Sequence, residues 1–327
     1  MGRSDALLLR DAIRFVKEHN DILLIAHVSP DGDTLGSSFA LYGALSAAGK
    51  RIQVVCEDPV PNTYVFLPFS ETLILPEQAQ PAEAVICVDC ADIARAGRCE
   101  TLFRVAKATL NIDHHGTNDN YADFNYVKKA AATGELIYRL LVELKLPVRR
   151  DVASCLYAAI ATDTGNFSYS NTTPDTLRVA AELLDAGIDL PELSRRLFRT
   201  IPFNKLKLQA LVIDKTALYE NGRVGVAYVT LDEIASCGAK AEDTEGIIDL
   251  IRDIATVEIA VFLRESEDGA IRVSLRGKTC GNVSKIATQY QGGGHRLAAG
   301  CTLNMPIAQA AETMLAAAKK QLQEDCG

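Results

Sequence analysis

The chain has 327 residues, of which 48% are apolar and 23% charged, and its 34 Lys and Arg against 42 Asp and Glu leave a formal net charge of −8. That length gives room for two domains, each with a sizeable core, and the composition is that of a soluble globular protein. The acidic balance excludes a general affinity for nucleic acid, so a polyanionic substrate would have to be small, or met by local positive charge and metal ions.

In chain order, residues 1–20 are charged and amphipathic, with helical periodicity over 7–19 and neither the apolar core nor the cleavage site of a signal peptide. Apolar runs at 22–26, 52–56, 84–88 and 108–112 read as strands, alternating with helices over 34–48, 133–145, 152–161 and 174–186. Continuous apolar strands separated by helices predict an α/β fold with a mostly parallel sheet covered on both faces, its ligands lying beyond the carboxyl ends of the strands. Residues 189–209 carry Arg195, Arg196, Arg199, Lys205 and Lys207 and read as a helical linker with a solvated basic face. Beyond it, strands at 224–230, 257–264 and 271–275, helices near 245–255 and 283–290, and a final helix from 307 predict a smaller α+β domain. The expected division is a first domain over 1–188, a linker over 189–212 and a second domain over 213–327.

No apolar run approaches the eighteen or so residues of a membrane span. The nine cysteines are odd in number, scattered and mostly inside apolar segments, which predicts free thiols in a reducing compartment and a cytoplasmic protein. Cys87 and Cys90 form a C-x-x-C with no second pair, and its place at a strand end predicts incidental packing.

Side chains capable of chemistry gather where apolar segments end. The run at 22–26 leads into HVSPDGDTLGS, which sets His27, Asp31 and Asp33 at i, i+4 and i+6; Pro30, Asp31 and Gly32 are turn formers, and Thr34 is placed to cap the next helix. Asp89 and Asp92 follow the run at 84–88, Asp113-His114-His115 follow that at 108–112, and Asp163-Thr164-Gly165 follow the helix over 152–161. Singly, each cluster is explained by a cap, a turn or a structural histidine. Together they collect three of the five histidines at segment ends that a parallel sheet brings into one place. Oxygen-rich donors with a minority of imidazoles suit Mn²⁺ or Mg²⁺ better than structural zinc. Donors suffice for two ions sharing a carboxylate, and two ions about 3.5–4 Å apart activate water at neutral pH and clamp both the attacking and leaving oxygens of an in-line displacement.

At these residues the sequence resembles the DHH phosphoesterases. HVSPDGDTLGS, VDCAD, DHH and ATDTGNFSYSNTTPDT are similar to that family's four ordered motifs, and SLRGK followed by GNVSKIATQYQGGGHRLAAG resembles its associated substrate domain with a GGGH signature. The likeness runs from His27 to about Gly300, and its length and histidine-first motif are similar to the branch acting on short oligoribonucleotides and pAp. The resemblance implies two divalent cations, Mn²⁺ ahead of Mg²⁺ or Co²⁺. His27, Asp31 and Asp89 would hold one, and Asp33, Asp89, His114 and Asp163 the other, with Asp89 bridging. Asp113 would orient a histidine through its ring N–H. His115 would face the substrate phosphate and give a hydrogen bond or proton to the leaving oxygen, which makes it, with Asp89, the catalytic pair. Asn166 stands where some members carry a basic residue.

In the second domain Arg276, at a strand end, offers a planar fork for phosphate, and Gly292-Gly293-Gly294 would let backbone N–H groups approach an anion beside His295. A turn and a surface cap are the ordinary explanations of the same residues. With the resemblance, Arg276, Ser274, Asn282, His295 and the three glycines are expected to clamp a terminal phosphate and nucleotide. A clamp on a separate domain measures substrate length, so the implied activity is hydrolysis of short oligoribonucleotides to mononucleotides, of pAp to AMP, or both. A linear or cyclic dinucleotide phosphodiesterase shares both domains and the chemistry, and stands as the nearest alternative. A nucleotide-binding regulator without turnover would be marked by lost metal ligands, and all six are present. No membrane partner is expected, and the oligomeric state, a homodimer included, is left open.

Overall fold

In the computed structural model, which describes residues 3–326, the chain divides into two units, Met1–Thr200 and Ile201–Gly327. The first runs α1 (Arg3–Glu18), β1 (Asp21–Ala26), α2 (Gly32–Ala47), β2 (Arg51–Val55), β3 (Leu73–Ile74), β4 (Ala84–Val88), α3 (Glu100–Arg104), β5 (Thr109–Asp113), β6 (Phe124–Val127), α4 (Thr133–Glu143), α5 (Arg150–Asp163), α6 (Pro174–Asp185) and α7 (Leu190–Ser194). Its six strands form one parallel sheet in the order β3-β2-β1-β4-β5-β6. The chain leaves β1 for β2 on one side and later returns to β4 on the other. The loops after β1 and β4 therefore open into the crevice where α/β sheets place their ligands.

Both faces of this sheet are covered, which is why its strands are apolar without alternation. Ile22, Leu24, Val54, Ile86, Leu110 and Ile112 pack with residues of α2, α4 and α5. Leu23, Ile25, Val55, Val85 and Cys87 pack with Ala96, Cys99 and Phe103 in the other cluster. Helix α2 has no exposed face at its start, since every residue from Gly32 to Leu41 is buried. Its backbone touches α5: a Cβ added to Gly36 would lie 2.4 Å from the Cys155 carbonyl oxygen and 2.9 Å from the Ala159 nitrogen.

Several elements depart from the sequence expectation for local reasons. Helix α2 begins at Gly32 because Asp31, not Thr34, is its cap and accepts the N–H groups of Asp33 and Thr34. Thr34 instead donates its hydroxyl to the Val88 carbonyl. The edge strands β3 and β6 escape an apolar-run criterion, one being two residues long and the other interrupted by Asn125. Residues 189–209 are not a single helix. After α7 a π-helical turn spans Arg195–Arg199, and Arg195 and Arg196 both pair with Glu192. Pro202 then interrupts the helix, since the residue before a proline disfavours helical backbone.

The second unit runs α8 (Phe203–Asp214), β7 (Ala217–Tyr219), β8 (Val224–Val229), α9 (Leu231–Ser236), α10 (Ile247–Arg252), β9 (Ile259–Glu265), β10 (Ile271–Gly277), α11 (Val283–Gln289), β11 (Gly293–His295), β12 (Ala298–Leu303) and α12 (Ile307–Cys326). Its mixed sheet has the order β11-β12-β10-β9-β8-β7, parallel only between β8 and β9. One face packs Val261, Val273 and Leu275 with Ile286 of α11 and Met314 of α12. The other packs Ala227, Val229 and Phe262 with α8 and α10.

The expectation of free thiols is corrected at one pair. Seven cysteines are free and buried, whereas Cys280 and Cys326, 46 residues apart, are joined by a disulfide because the loop before α11 meets the end of α12. Cys87 and Cys90 are both buried and free. Among the described residues no helix is long and apolar enough to cross a membrane.

The Gly36 contact is with backbone atoms, which cannot move aside as a side chain can. Gly36→Ala is therefore expected to destabilise the first unit by about 1–3 kcal/mol or more. A lowered urea midpoint at unchanged slope checks this, and an unchanged midpoint would contradict the close helix contact.

Candidate metal centre

The acidic and imidazole side chains at the ends of β1, β4, β5 and α5 converge. Three groups have ligand atoms all within 4.8 Å of one another: His27, Asp31 and Asp89; Asp33, His114 and Asp163; and Asp89, His114 and His115. Asp89 turns one oxygen to each side. Its Oδ2 lies 3.6 Å from His27 Nε2, and its Oδ1 lies 3.7 Å from His114 Nε2. His27 Nε2 is also 3.6 Å from Asp31 Oδ1, and His114 Nε2 is 3.5 Å from Asp163 Oδ2 and 3.8 Å from Asp33 Oδ2. These separations exceed those of N–H···O hydrogen bonds and are comparable with those of two donors sharing one small cation.

Each imidazole is oriented from behind. His27 Nδ1 lies 2.8 Å from the Val28 carbonyl and His114 Nδ1 lies 3.2 Å from the Ala130 carbonyl, so a proton on Nδ1 leaves the Nε2 lone pair directed into the cluster. His115 differs. Its Nδ1 donates to Asp113 Oδ1 at 2.7 Å, and Asn118 donates to the other Asp113 oxygen at 2.6 Å. The Nδ1 atom that stands 3.7 Å from Asp89 is thus already committed to Asp113.

The carboxylates are held as firmly. Asp33, 1% exposed, accepts the backbone N–H groups of Thr133 and Gly134 at the start of α4 and the Ser37 hydroxyl. Asp89 takes a hydrogen bond from the Thr133 hydroxyl at 2.7 Å, and its φ of 61° is left-handed backbone that a non-glycine residue seldom adopts. The loop after α5 holds Gly165, Asn166 and Phe167 at successive left-handed φ values, a conformation asparagine tolerates better than a basic side chain does. Asn171 ties this loop down by donating to the Ala131 and Asp163 carbonyls. Asp92 stands apart as the cap of the turn at Ile93–Cys99.

Thr133, Gly134, Asn118 and Asn171 were not singled out by sequence pattern: Thr133 and Gly134 reach Asp33 and Asp89 from far along the chain, and Asn118 and Asn171 act from loops at no regular spacing. Ser37 did leave a signal, four residues after Asp33 on one helix face.

Electrostatically the cluster asks for a cation. Burial, then the charges of Asp89, Asp163 and Asp31, holds the Asp33 carboxyl well above the ordinary range. Burial, reinforced by the charges of Asp89 and Asp31 and opposed by His114 and His115, pushes Asp163 up to about 6. Burial would lower His27, but its hydrogen bonds and charge interactions with Asp31 and Asp89 raise it to about 9. The hydrogen bond that His115 gives to Asp113 raises its pKa against the effect of burial. Carboxylates that retain protons because they crowd one another are the donor set a hard divalent cation would displace protons from.

The residues singled out in the second unit lie together on its sheet by register. Arg276 pairs with Ala298 and Ala298 with His295, while Ser274 pairs with Gly300 and Gly300 with Gly293, so two rows cross β10, β12 and β11 on one face. Arg276 is steadied by Asp249, 3.3 Å from its Nε. Asn282 precedes α11, and its Oδ1 accepts the Ser284 hydroxyl. The glycine run lies on the approach to and at the start of edge strand β11. The Gly292 N–H is spent on the Ala287 carbonyl, and Gly294, at φ 139°, has no room for a Cβ beside Ala298 and Ala299. Gly293 faces open space.

Comparison with known proteins bears on both units. Residues 21–160 match the DHH family, N-terminal domain, and residues 221–324 match the DHHA1 domain. The chain is 37% identical over 305 residues to the bifunctional oligoribonuclease and PAP phosphatase NrnA of Thermus thermophilus, covering 92% of this chain and 90% of that protein. It is 30% identical over 298 residues to the protein of the same name from Bacillus subtilis, covering 90% and 92%. An exopolyphosphatase-related protein from Bacteroides fragilis shares the fold, with a TM-score of 0.91 at 24% identity over 96% of each chain.

The raised pKa of His27 carries a signed consequence. Between its ordinary value of 6.5 and about 9 the folded protein binds a proton that the unfolded chain releases, so metal-stripped protein should lose stability as pH rises through that window. His27→Ala should flatten this slope in thermal melts, and a divalent cation should stabilise the parent most at the alkaline end. A parent slope that is absent, or unaltered in the variant, would show that His27 does not feel Asp31 and Asp89 as described.

Proposed function

The chain belongs to the DHH family of phosphoesterases, hydrolases of phosphate ester bonds, and from that membership we propose that it cleaves short oligoribonucleotides to mononucleotides and converts pAp to AMP. The observation that carries the reading is Asp89, whose two oxygens face two separate donor sets. His27, Asp31 and Asp89 would hold one divalent cation, and Asp33, Asp89, His114 and Asp163 a second, Mn²⁺ being the ion preferred. Bound cations would supply Lewis-acid activation of water and neutralisation of charge on the phosphoryl oxygens.

The protein's own groups do the rest. Thr133 fixes the Asp89 carboxylate, and the N-terminus of α4 fixes Asp33, so the donor set is preorganised. Asp113 holds the Nδ1 proton of His115 and raises its pKa, which keeps the ring charged nearer neutrality and leaves Nε2 as the atom to protonate a departing ribose or alcohol oxygen. In the second unit, Arg276 and His295 share a row of the sheet with only Ala298 between them, a flat and open place for a phosphate. The names of the relatives, oligoribonuclease and PAP phosphatase, support short oligoribonucleotides and pAp as substrates.

The test is a turnover panel of pAp, a linear dinucleotide, a cyclic dinucleotide, pyrophosphate and a long single strand, with Mn²⁺ and with chelator. The first two are expected to be hydrolysed, with Mn²⁺ only. Asp89→Ala should lose essentially all turnover, and a kcat within about tenfold of the parent in a folded variant would contradict the bridging role. Arg276→Ala should cost on the order of 1.5–3 kcal/mol, or roughly ten- to a hundredfold in kcat/KM, on pAp and dinucleotide. It should leave bis(p-nitrophenyl) phosphate nearly untouched. Equal losses on all three would assign Arg276 to the fold instead.

A further inference from the structure

We propose that the second sheet carries a separate phosphate site, built on Arg264 and Arg272, that holds an internal phosphodiester of an oligoribonucleotide; the assignment of ligand rests on the oligoribonucleotide reading above. Arg264 of β9 and Arg272 of β10 are direct cross-strand partners and so share a face of the sheet. Like charges directly opposite destabilise an antiparallel pair, a cost that Asp268, paired with Arg272, offsets in part. Arg272 is tied down, donating to Asp268 at 2.8 Å and to the Thr302 hydroxyl at 3.1 Å. The Arg264 guanidinium has no hydrogen-bond or ion-pair partner among the described residues; burial and then the charge of Arg272 disfavour its protonated form, against the charge of Asp268, which favours it.

A cavity of 580 Å³ opens over the pair. Arg264, Arg272, Ser274, Thr302 and Asn304 line it, and no acidic side chain does. Gly300, opposite Ser274, leaves the floor open where any other residue would fill it. The open Arg264 fork, with the hydroxyl and amide groups of Ser274, Thr302 and Asn304 lining the same cavity, matches the oxygens of a phosphodiester, while Arg272, though its own fork is spent on Ser266, Thr302 and Asp268, adds positive charge beside it.

Arg272 lies four residues from Arg276 on the same strand and face, about 13 Å away at 3.3–3.4 Å per residue. One phosphate cannot serve both. A chain of a few nucleotides reaches from one to the other, whereas the phosphates of pAp sit on a single nucleoside. The site would therefore favour longer oligoribonucleotides over pAp without touching the reacting atoms.

The experiment compares the parent with Arg264→Gln as Mn²⁺-loaded enzyme on pAp and on a pentaribonucleotide, and as chelated protein binding a labelled pentaribonucleotide across a salt series. The pentanucleotide KM is expected to rise ten- to a hundredfold more than that for pAp, and its dissociation constant to rise likewise. The dependence of log affinity on log salt should fall by about 0.7 for the lost contact. The melting temperature should hold or rise, because one of two opposed charges is gone. Thr302→Glu, at an exposed strand position, offers the second variant: a carboxylate beside Arg272 should repel the same phosphate. Equal effects on both substrates, or unchanged pentanucleotide binding in both variants, would overturn the proposal. So would stabilisation of the parent, but not of Arg264→Gln, by inorganic phosphate with pentanucleotide binding unaltered, which would make this a site for a free anion. If the parent hydrolyses neither substrate, the reading of its function fails, and the binding measurements alone decide this site.

Discussion

A buried carboxylate on strained backbone, Asp89, is the point on which the first unit turns. It is 3% exposed, its φ is 61°, and Asp31, Asp33 and Asp163 crowd the same space. A left-handed non-glycine residue costs on the order of 1–3 kcal/mol and persists only where its surroundings over-determine it. Here the Asp89 N–H reaches the Ile112 carbonyl and Thr133 holds its Oδ1. Among the described residues, the ion-pair partners of these four acids are imidazoles alone. A fold that keeps lysine and arginine away from four clustered carboxylates preserves negative potential that a divalent cation can use, and stability is lost for it elsewhere. The buried first turns of α2, the backbone contact of α2 with α5, and the aim of α4 at Asp33 together maintain the arrangement.

The main architecture of that unit was readable because it is governed by burial. Strands covered on both faces must be apolar throughout, and β1, β2, β4 and β5 announce themselves in that way. The edge strands do not, since they bury less and tolerate residues such as Asn125. The acidic and histidine clusters were legible as types and positions, because polar groups at the ends of apolar runs are conspicuous. The supporting groups were not. Thr133 and Gly134 act through backbone N–H groups about a hundred residues from Asp33, and sequence carries no trace of such a contact.

The second unit was harder to read because its meaning lies in register. β12, with the sequence AAGCTL, has little of the β-branched character that marks a strand, and β11 is nearly all glycine. Only pairing shows that Arg276, Ala298 and His295 make one row and that Ser274, Gly300 and Gly293 make the next. The opposition of Arg264 and Arg272 is likewise invisible until β9 and β10 are aligned. Small residues weaken a strand but clear the space above it, and a ligand face needs that space. The Cys280–Cys326 bond eluded sequence for a related reason: the two residues meet only after α11, β11, β12 and α12 are folded between them.

The overall charge of −8 and the local arginines answer different questions about a polyanion. Long nucleic acid is attracted by extended positive surfaces and gains affinity by releasing many counterions along them. The net charge of −8 gives no long-range attraction for such a strand. Arg264, Arg272 and Arg276 instead concentrate positive charge on one face of one sheet, with donors spaced for individual phosphates. Discrimination against length then needs no steric gate. On the proposed reading a short oligomer would place its few phosphates on guanidinium groups or bound cations, while each further nucleotide would add a charge that the net charge of −8 repels. Affinity per phosphate would then fall as the chain lengthens, so that the net charge would itself favour small substrates.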